Sequence, residues 1–128
     1  MDANFTGFDQ VQTALKTLEE SSEVYKNSLQ NALAAEKLTA NNLKKINTGL
    51  IDLEKSWIDP KGMYYGEWYK SLYVCNDPFS GYASWILPGI QYEVAIQNTS
   101  RLEEWDTRYA NAILDLSKKI SQLSSQLQ

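Results

Sequence analysis

The sequence predicts an all-α fold: a long antiparallel helical hairpin, coiled-coil-like or part of a four-helix bundle, with a short aromatic-rich helical cap at one end. Three observations carry this expectation. Two long stretches keep helical apolar spacing, and the segment between them, residues 57–88, holds nine of the fifteen aromatic residues and all three prolines. A chain of 128 residues suits one domain with a modest core.

Stepping alternately four and three residues from Val11 gives Val11, Leu15, Leu18, Ser22, Tyr25, Leu29, Ala32, Glu36, Thr39, Leu43, Ile46, Leu50, Leu53 and Trp57, and eleven of these fourteen are apolar. A stripe that holds its phase this long without proline predicts a helix over 9–57, continuous or in two nearly collinear pieces, about 70 Å long if unbroken. Asp9, with Gln12 three residues on, resembles a capping box, and Asp59-Pro60 is the stop. Poor helix formers cluster at 39–42, where a bend is expected, and Gly49 is a second soft point.

In the connection, 58–88, Tyr65, Trp68, Tyr69, Leu72 and Tyr73 follow i, i+3, i+4, i+7, i+8 spacing, which predicts a short amphipathic helix over 64–75 ended by Asn76-Asp77-Pro78. Trp57 and Trp85 stand at the two necks of this insertion, placed to close it. A second long helix is predicted over 89–127 from Ile90, Val94, Leu102, Trp105, Tyr109, Ile113, Leu116, Ile120, Leu123 and Leu127. Glu104 with Arg108 and Asp115 with Lys119 are four apart in the favourable order.

Antiparallel pairing of the two helices would bury both stripes. With the turn centred near residue 73, Leu53 falls opposite Glu93, Ile46 opposite Ser100, and Glu36 beside Arg108, so a Glu36–Arg108 contact is expected. About seventeen N-terminal residues then overhang, leaving Phe5, Phe8, Val11 and Leu15 in need of another surface. Either the first helix bends back near Thr39 or a second chain covers it, and self-association is the expectation.

Composition excludes more than it assigns. The net charge of −4 is spread thinly, and isolated pairs such as Lys44-Lys45 and Lys118-Lys119 make no basic stripe, which argues against nucleic acid. The start Met1-Asp2-Ala3-Asn4 is not a basic leader followed by an apolar run, and no apolar run is long enough to span a bilayer. The single cysteine, Cys75, has no partner for an intramolecular disulfide, and its residue type suits a small apolar position. With no histidine, the usual general base, the commonest metal ligand and the Ser-His or Cys-His relay are missing. Glu19-Glu20, Glu103-Glu104, Asp52 and Glu54 sit where charges are normally solvated, and Gly62 and Gly66 precede no phosphate-binding helix. No enzyme activity, metal or cofactor is expected.

The candidate partner-binding residues are the rings of the connection: Trp57, Tyr64, Tyr65, Trp68, Tyr69, Tyr73, Phe79, Tyr82 and Trp85. Such rings serve equally as a buried cap or as an interface, since Tyr and Trp dominate binding hot spots. Membrane-interface contact and sugar stacking are further uses, although Lys61 and Lys70 are the only cations there to draw an anionic lipid surface.

In length, and in Trp57 ending the first helix, the chain resembles the small helical-hairpin substrates of type VII secretion, whose helices meet at a Trp-x-Gly turn. It departs from them at Ile58-Asp59-Pro60-Lys61-Gly62 and in the length of the connection. Its Gln/Ser/Asn-rich helices are similar in composition to minor pilus subunits of type IV secretion. The expected role is a non-catalytic structural or assembly protein that self-associates or packs into a larger complex, such as a secretion apparatus or a virus particle. The alternative is a secreted or surface-exposed binding module whose aromatic cap contacts a host protein, membrane or glycan.

Overall fold

The computed structural model describes residues 5–128; Met1-Asp2-Ala3-Asn4, the stretch without a leader pattern, lies outside them. Helix α1 (Asp9–Ala34) follows the first half of the predicted stripe and then stops. Glu36 takes a left-handed conformation, φ 52°, so that Glu36 N–H donates to Leu33 O and Lys37 N–H to Ala32 O, both at 3.1 Å. This is the paired closure that usually employs glycine. Thr39 then caps α2 (Ala40–Asp52), its hydroxyl accepting from Asn42 N–H at 3.2 Å. The predicted bend is real but falls just before 39–42, and α2 does not continue α1. The unbroken 70 Å rod is replaced by a helix of 26 residues, about 39 Å long.

Helix α4 (Leu102–Gln126) is the central element. Along it α1 runs in the same direction: Gln10 and Val11 meet Asp106, Ala14 packs with Ala110 and Ile113, and Ser121 Oγ donates to Ser21 Oγ at 3.3 Å. Helix α2, extended by a 3₁₀ turn (Leu53–Trp57), runs the opposite way. Gly49 lies against Leu123, Asp52 is 3.5 Å from Lys119, and Ser56 donates to Asp115 at 2.8 Å. The hairpin relation therefore holds between α2 and α4, while α1 and α4 are parallel.

This corrects the expected register. Ile46 clusters with Ala32 and Leu127 at the far end of the molecule, not near Ser100. Glu36 is exposed in its turn, and Arg108 pairs with Asp59 instead. The cause is the reversal at 35–39, which folds the predicted overhang onto α4. Val11 packs into the core and the Phe5 and Phe8 rings meet edge-on at 4.9 Å.

The cap is not helical. Residues 57–72 fold back on themselves through Leu72 N–H to Trp57 O (2.7 Å), Asp59 N–H to Lys70 O (2.8 Å) and Met63 N–H to Tyr69 O (2.9 Å). Strands β1 (Val74–Asn76) and β2 (Ser84–Ile86) follow as an antiparallel ribbon with Cys75 opposite Trp85. Chain reversal at Gly62 and Gly81, with φ of 69° and 74°, permits these folds, and aromatic residues suit them as well as they suit a helix. The i, i+3, i+4 aromatic spacing thus arises without helical geometry.

The second long helix is also divided. Helix α3 (Pro88–Ala95) starts at Leu87, φ 53°, and closes like α1. Gln97, φ 55°, donates to Val94 O at 3.2 Å and Asn98 N–H to Glu93 O at 2.9 Å. The Asn98-Thr99-Ser100 run then separates it from α4, with Asn98 Oδ1 accepting from Ser100 N–H at 3.1 Å. The two expected helical ion pairs are present, Arg108–Glu104 at 3.6 Å and Lys119–Asp115 at 3.3 Å.

Candidate interaction site

The lobe formed by residues 57–101 is anchored on the first two turns of α4. Trp105 is wholly buried, with Gly89 of α3 pressed so closely on its ring that a Cβ there would come within 2.5 Å of it. Beside it the Glu93 side chain, 0 % exposed, accepts from Trp105 Nε1 at 3.1 Å, Asn98 Nδ2 at 2.9 Å and Arg101 Nη2 at 3.1 Å. Arg101 Nε is also 2.8 Å from Glu93 Oε1, an ion contact whose angle precludes an aligned hydrogen bond. The same guanidinium lies 3.8 Å over the Tyr64 ring.

One turn on, Arg108 stacks 4.1 Å over Trp105, donates to Asp59 Oδ2 at 2.7 Å and to Gly62 O at 2.6 Å. Tyr64 donates to Glu104, and the hydrogen bond to that carboxylate raises the phenol pKa. A shallow cleft of about 420 Å³ opens here between Lys61, Tyr64, Glu104 and Arg108, but the guanidinium lining it is already occupied by protein partners.

Asp106, on the other side of α4, receives Gln10 N–H at 3.1 Å and Val11 N–H at 2.9 Å. These are unpaired donors at the start of α1, so a carboxylate from another helix caps it and complements its dipole. Asp9, expected as the cap, is instead the first helical residue and makes no side-chain cap.

The nine predicted rings divide into two groups. Trp57, Tyr65, Tyr69 and Trp85 are half-buried. Trp57 packs on Tyr73 at 5.5 Å between centroids, Tyr65 on Tyr69 at 5.4 Å and on Tyr92 at 5.1 Å, and Trp85 on Phe79 at 6.0 Å. The two neck tryptophans thus have separate partners. Tyr64, Trp68, Tyr73, Phe79 and Tyr82 are exposed, with Trp68 at 72 %, Phe79 at 68 % and Tyr82 at 95 %. The tip carrying Phe79 and Tyr82 is held by Asp77, whose carboxylate accepts from Phe79 N–H at 2.7 Å, Ser80 N–H at 2.8 Å and the Ser80 hydroxyl. These bonds hold its pKa below the ordinary value.

A second surface lies at the other end. No Cα of α1 comes within 8 Å of α2, so the helices form a layer with α4 in the middle. At about 100° per residue, α1 touches α4 along Ala14, Ser21 and Ala32 and α2 touches it along Gly49, while each carries leucines on one flank of that seam. On α1 these are Leu15, Leu18 and Leu29, and on α2 Leu43 and Leu50. Both flanks turn to the side where α4 presents Leu116 and Ile120. Leu15, Leu43 and Leu50 are 48, 43 and 39 % exposed, while Leu18 packs against Ala14, Ala110 and Ile113, Leu29 packs against Ala32, Ile46 and Leu127, and Leu116 and Ile120 are half-buried. On the opposite side Val24 and Leu114 stand singly among Lys45, Asn111, Lys118 and Gln122.

Sequence reasoning missed the junction of Glu93, Arg101, Trp105 and Arg108. Its signal was present: the two arginines fall four before and three after Trp105, in phase with the apolar stripe.

The sequence matches the family model of the transferrin receptor-like dimerisation domain over residues 6–121, from the start of α1 through most of α4. The chain belongs to this family. A transferrin receptor-like dimerisation domain is by description a unit of protein–protein association, which replaces the secretion resemblances with a family of a different kind. Neither the curated proteins nor the solved structures yield a match. Among the described residues of this dimerisation domain, no helix is long and apolar enough to cross a membrane, and no cluster of three or more His, Cys, Asp or Glu is placed to hold a metal.

Proposed function

We propose that the chain is a non-catalytic module that pairs with a second copy of itself. The observation carrying this is the family match, which takes in all four helices. Nothing in the fold or the family points to a secretion apparatus or a virus particle. Light scattering over a concentration series tests the reading: the expected mass is twice the 14.6 kDa of the chain, and a mass of one chain at every concentration overturns it.

A second reading, a binding module working through the lobe, draws on the exposure of Trp68, Phe79 and Tyr82, since Trp and Tyr are enriched at protein-binding hot spots. Alanine at all three positions separates the two. The mass stays doubled if the lobe serves a different partner and falls to one chain if the lobe is itself the self-association contact.

A further inference from the structure

We infer that two copies join by exchanging α1: the reversal at 35–39 straightens, residues 9–57 run on as one helix, and each copy's α1 lies on the other's α4 in the place its own α1 has left. This rests on the self-association proposed above and names the contact. It needs no open face, because the groove that receives α1 is one the fold already fills.

Three observations carry it, the first a shared register. Every seventh residue from Val11 runs through Leu18, Tyr25 and Ala32 on α1 and through Ile46 and Leu53 beyond the reversal, and all six are buried or half-buried. Every seventh from Ala14 runs through Ser21 and Ser28, then Asn42, Gly49 and Ser56, with the same result. The members of the two series that fall inside the reversal, Thr39 and Ala35, are exposed. Two helices separated by a turn owe each other no phase, whereas one supercoiled helix holds a seven-residue repeat on a single seam.

The second is the turn itself. Ala35, Glu36, Lys37 and Leu38 are good helix formers with no glycine or proline among them, and Glu36 is held at φ 52°, where a side chain crowds the backbone. The closed turn is kept by Glu36 N–H to Leu33 O, Lys37 N–H to Ala32 O and the Thr39 cap, and a continuous helix replaces these with its own regular backbone bonds.

The third is the topology. Helix α1 lies along one side of α4 and α2 along the other, in opposite directions, with no Cα of α1 within 8 Å of α2. Straightening the turn carries α1 past the Leu127 end along the line of α2. A two-fold axis through the turn then sets the second copy's α4 end to end with the first, its α1 site in line with the extension and its direction matching. Ala32 and Ile46, which share a cluster with Leu127 in the closed chain, come to lie about 21 Å apart on the straight helix, which leaves room between the two α4 ends. The intervening segment, 33–45, carries Lys37, Lys44 and Lys45 against the single carboxylate of Glu36, and cations suit the negative ends of two α4 helices.

The test uses the whole chain as wild type and in two variants. Ser21 Oγ and Ser121 Oγ are 3.3 Å apart, so Ser21→Cys with Ser121→Cys, in a chain also carrying Cys75→Ala, bridges α1 to whichever α4 it touches. After oxidation, a denaturing non-reducing gel reads whether the two thiols came from one chain or from two. Glu36→Gly relieves the left-handed residue and weakens a continuous helix, so it favours the closed chain.

With a doubled wild-type mass, the expected result is a band of two linked chains for the cysteine pair, and pairing at least tenfold weaker for Glu36→Gly by light scattering. A one-chain bridged band from a doubled mass overturns the exchange and leaves self-association standing. A wild-type mass of one chain, 14.6 kDa, at every concentration removes both. If no bridge forms, Glu36→Gly alone decides, and pairing as tight as wild type overturns the exchange.

Discussion

The helical layer and the aromatic lobe solve the problem of holding a small chain together in opposite ways. In the layer, α1 packs through small residues, Ala14, Ser21 and Ala32, with Leu18 and Leu29 half-buried beside them. In the lobe, large rings surround a dense ionic junction, with Glu93 paired to Arg101 and Arg108 to Asp59. Burial is unequal within the layer itself: the central α4 buries ten residues where α1, of nearly equal length and packed on one side of it, buries two. The lobe satisfies its buried charges internally but exposes Trp68, Phe79 and Tyr82, while the layer buries two small clusters, Ala14 with Ala110 and Ile113 and Ala32 with Ile46 and Leu127.

Perturbations graded by size test this contrast. The largest effect belongs to Arg101→Ala, which leaves the buried Glu93 with only the neutral donors Trp105 Nε1 and Asn98 Nδ2 and no opposite charge, at about 3 kcal/mol. A melting temperature within a few degrees of wild type would show that the junction does not hold the lobe. Gly89→Ala comes next, because the added methyl meets the Trp105 ring at 2.5 Å. Overpacking of this kind costs about 1–3 kcal/mol, read from chemical denaturation.

Asp106→Ala then removes the cap of α1, at about 1–2 kcal/mol, with faster amide exchange expected at Gln10 and Val11 and little change in the lobe. Exchange that speeds equally in both regions would mean they unfold as one unit, erasing the comparison. Alanine at Trp68, Phe79 or Tyr82 is expected to change stability by no more than about 0.5 kcal/mol each, since these rings are mostly in water.

The smallest effect is a pH dependence at the tip. The Asp77 carboxyl is held below its ordinary value of 3.8, first by the Ser80 hydroxyl and then by backbone N–H groups. A depressed folded pKa stabilises above the unfolded value and loses that contribution as pH falls through the folded one. Protection of the Phe79 and Ser80 amides from exchange should therefore be steady above about pH 4 and decline below it, a window set by the ordinary carboxylate range. Asp77→Asn should flatten the response.

Much of the helical content was legible because it depends on local periodicity. The stripe from Val11 to Trp57 lies on α1, α2 and the 3₁₀ turn except for Glu36 and Thr39 in the reversal, and the run from Tyr109 to Leu123 lies on α4. The direction of α1 was not legible, because it turns on Glu36 adopting a left-handed conformation that glycine usually marks, and nothing in Ala35-Glu36-Lys37 announces it. Glutamine in the same role at Gln97 hid the break between α3 and α4. In the connection the spacing of Tyr65, Trp68 and Tyr69 matched a helix, but Gly62 and its carbonyl, taken by Arg108, fix an extended return path. That contact spans 46 residues and leaves no local trace. Of the nine predicted rings, the structure gathers all into one lobe and leaves five exposed, a division that spacing alone does not reveal.

The parallel course of α1 and α4 has an electrostatic consequence. Peptide dipoles of parallel helices add, and the shorter antiparallel α2 offsets only part of their sum, so the layer has a positive end at the lobe and a negative end near Leu127. Asp9, Glu103, Glu104 and Asp106 all lie in or beside the first turns at the positive end, where carboxylates are best tolerated. Charges brought near the two ends of the layer therefore meet opposite potentials, cations being favoured at the Leu127 end and anions at the lobe.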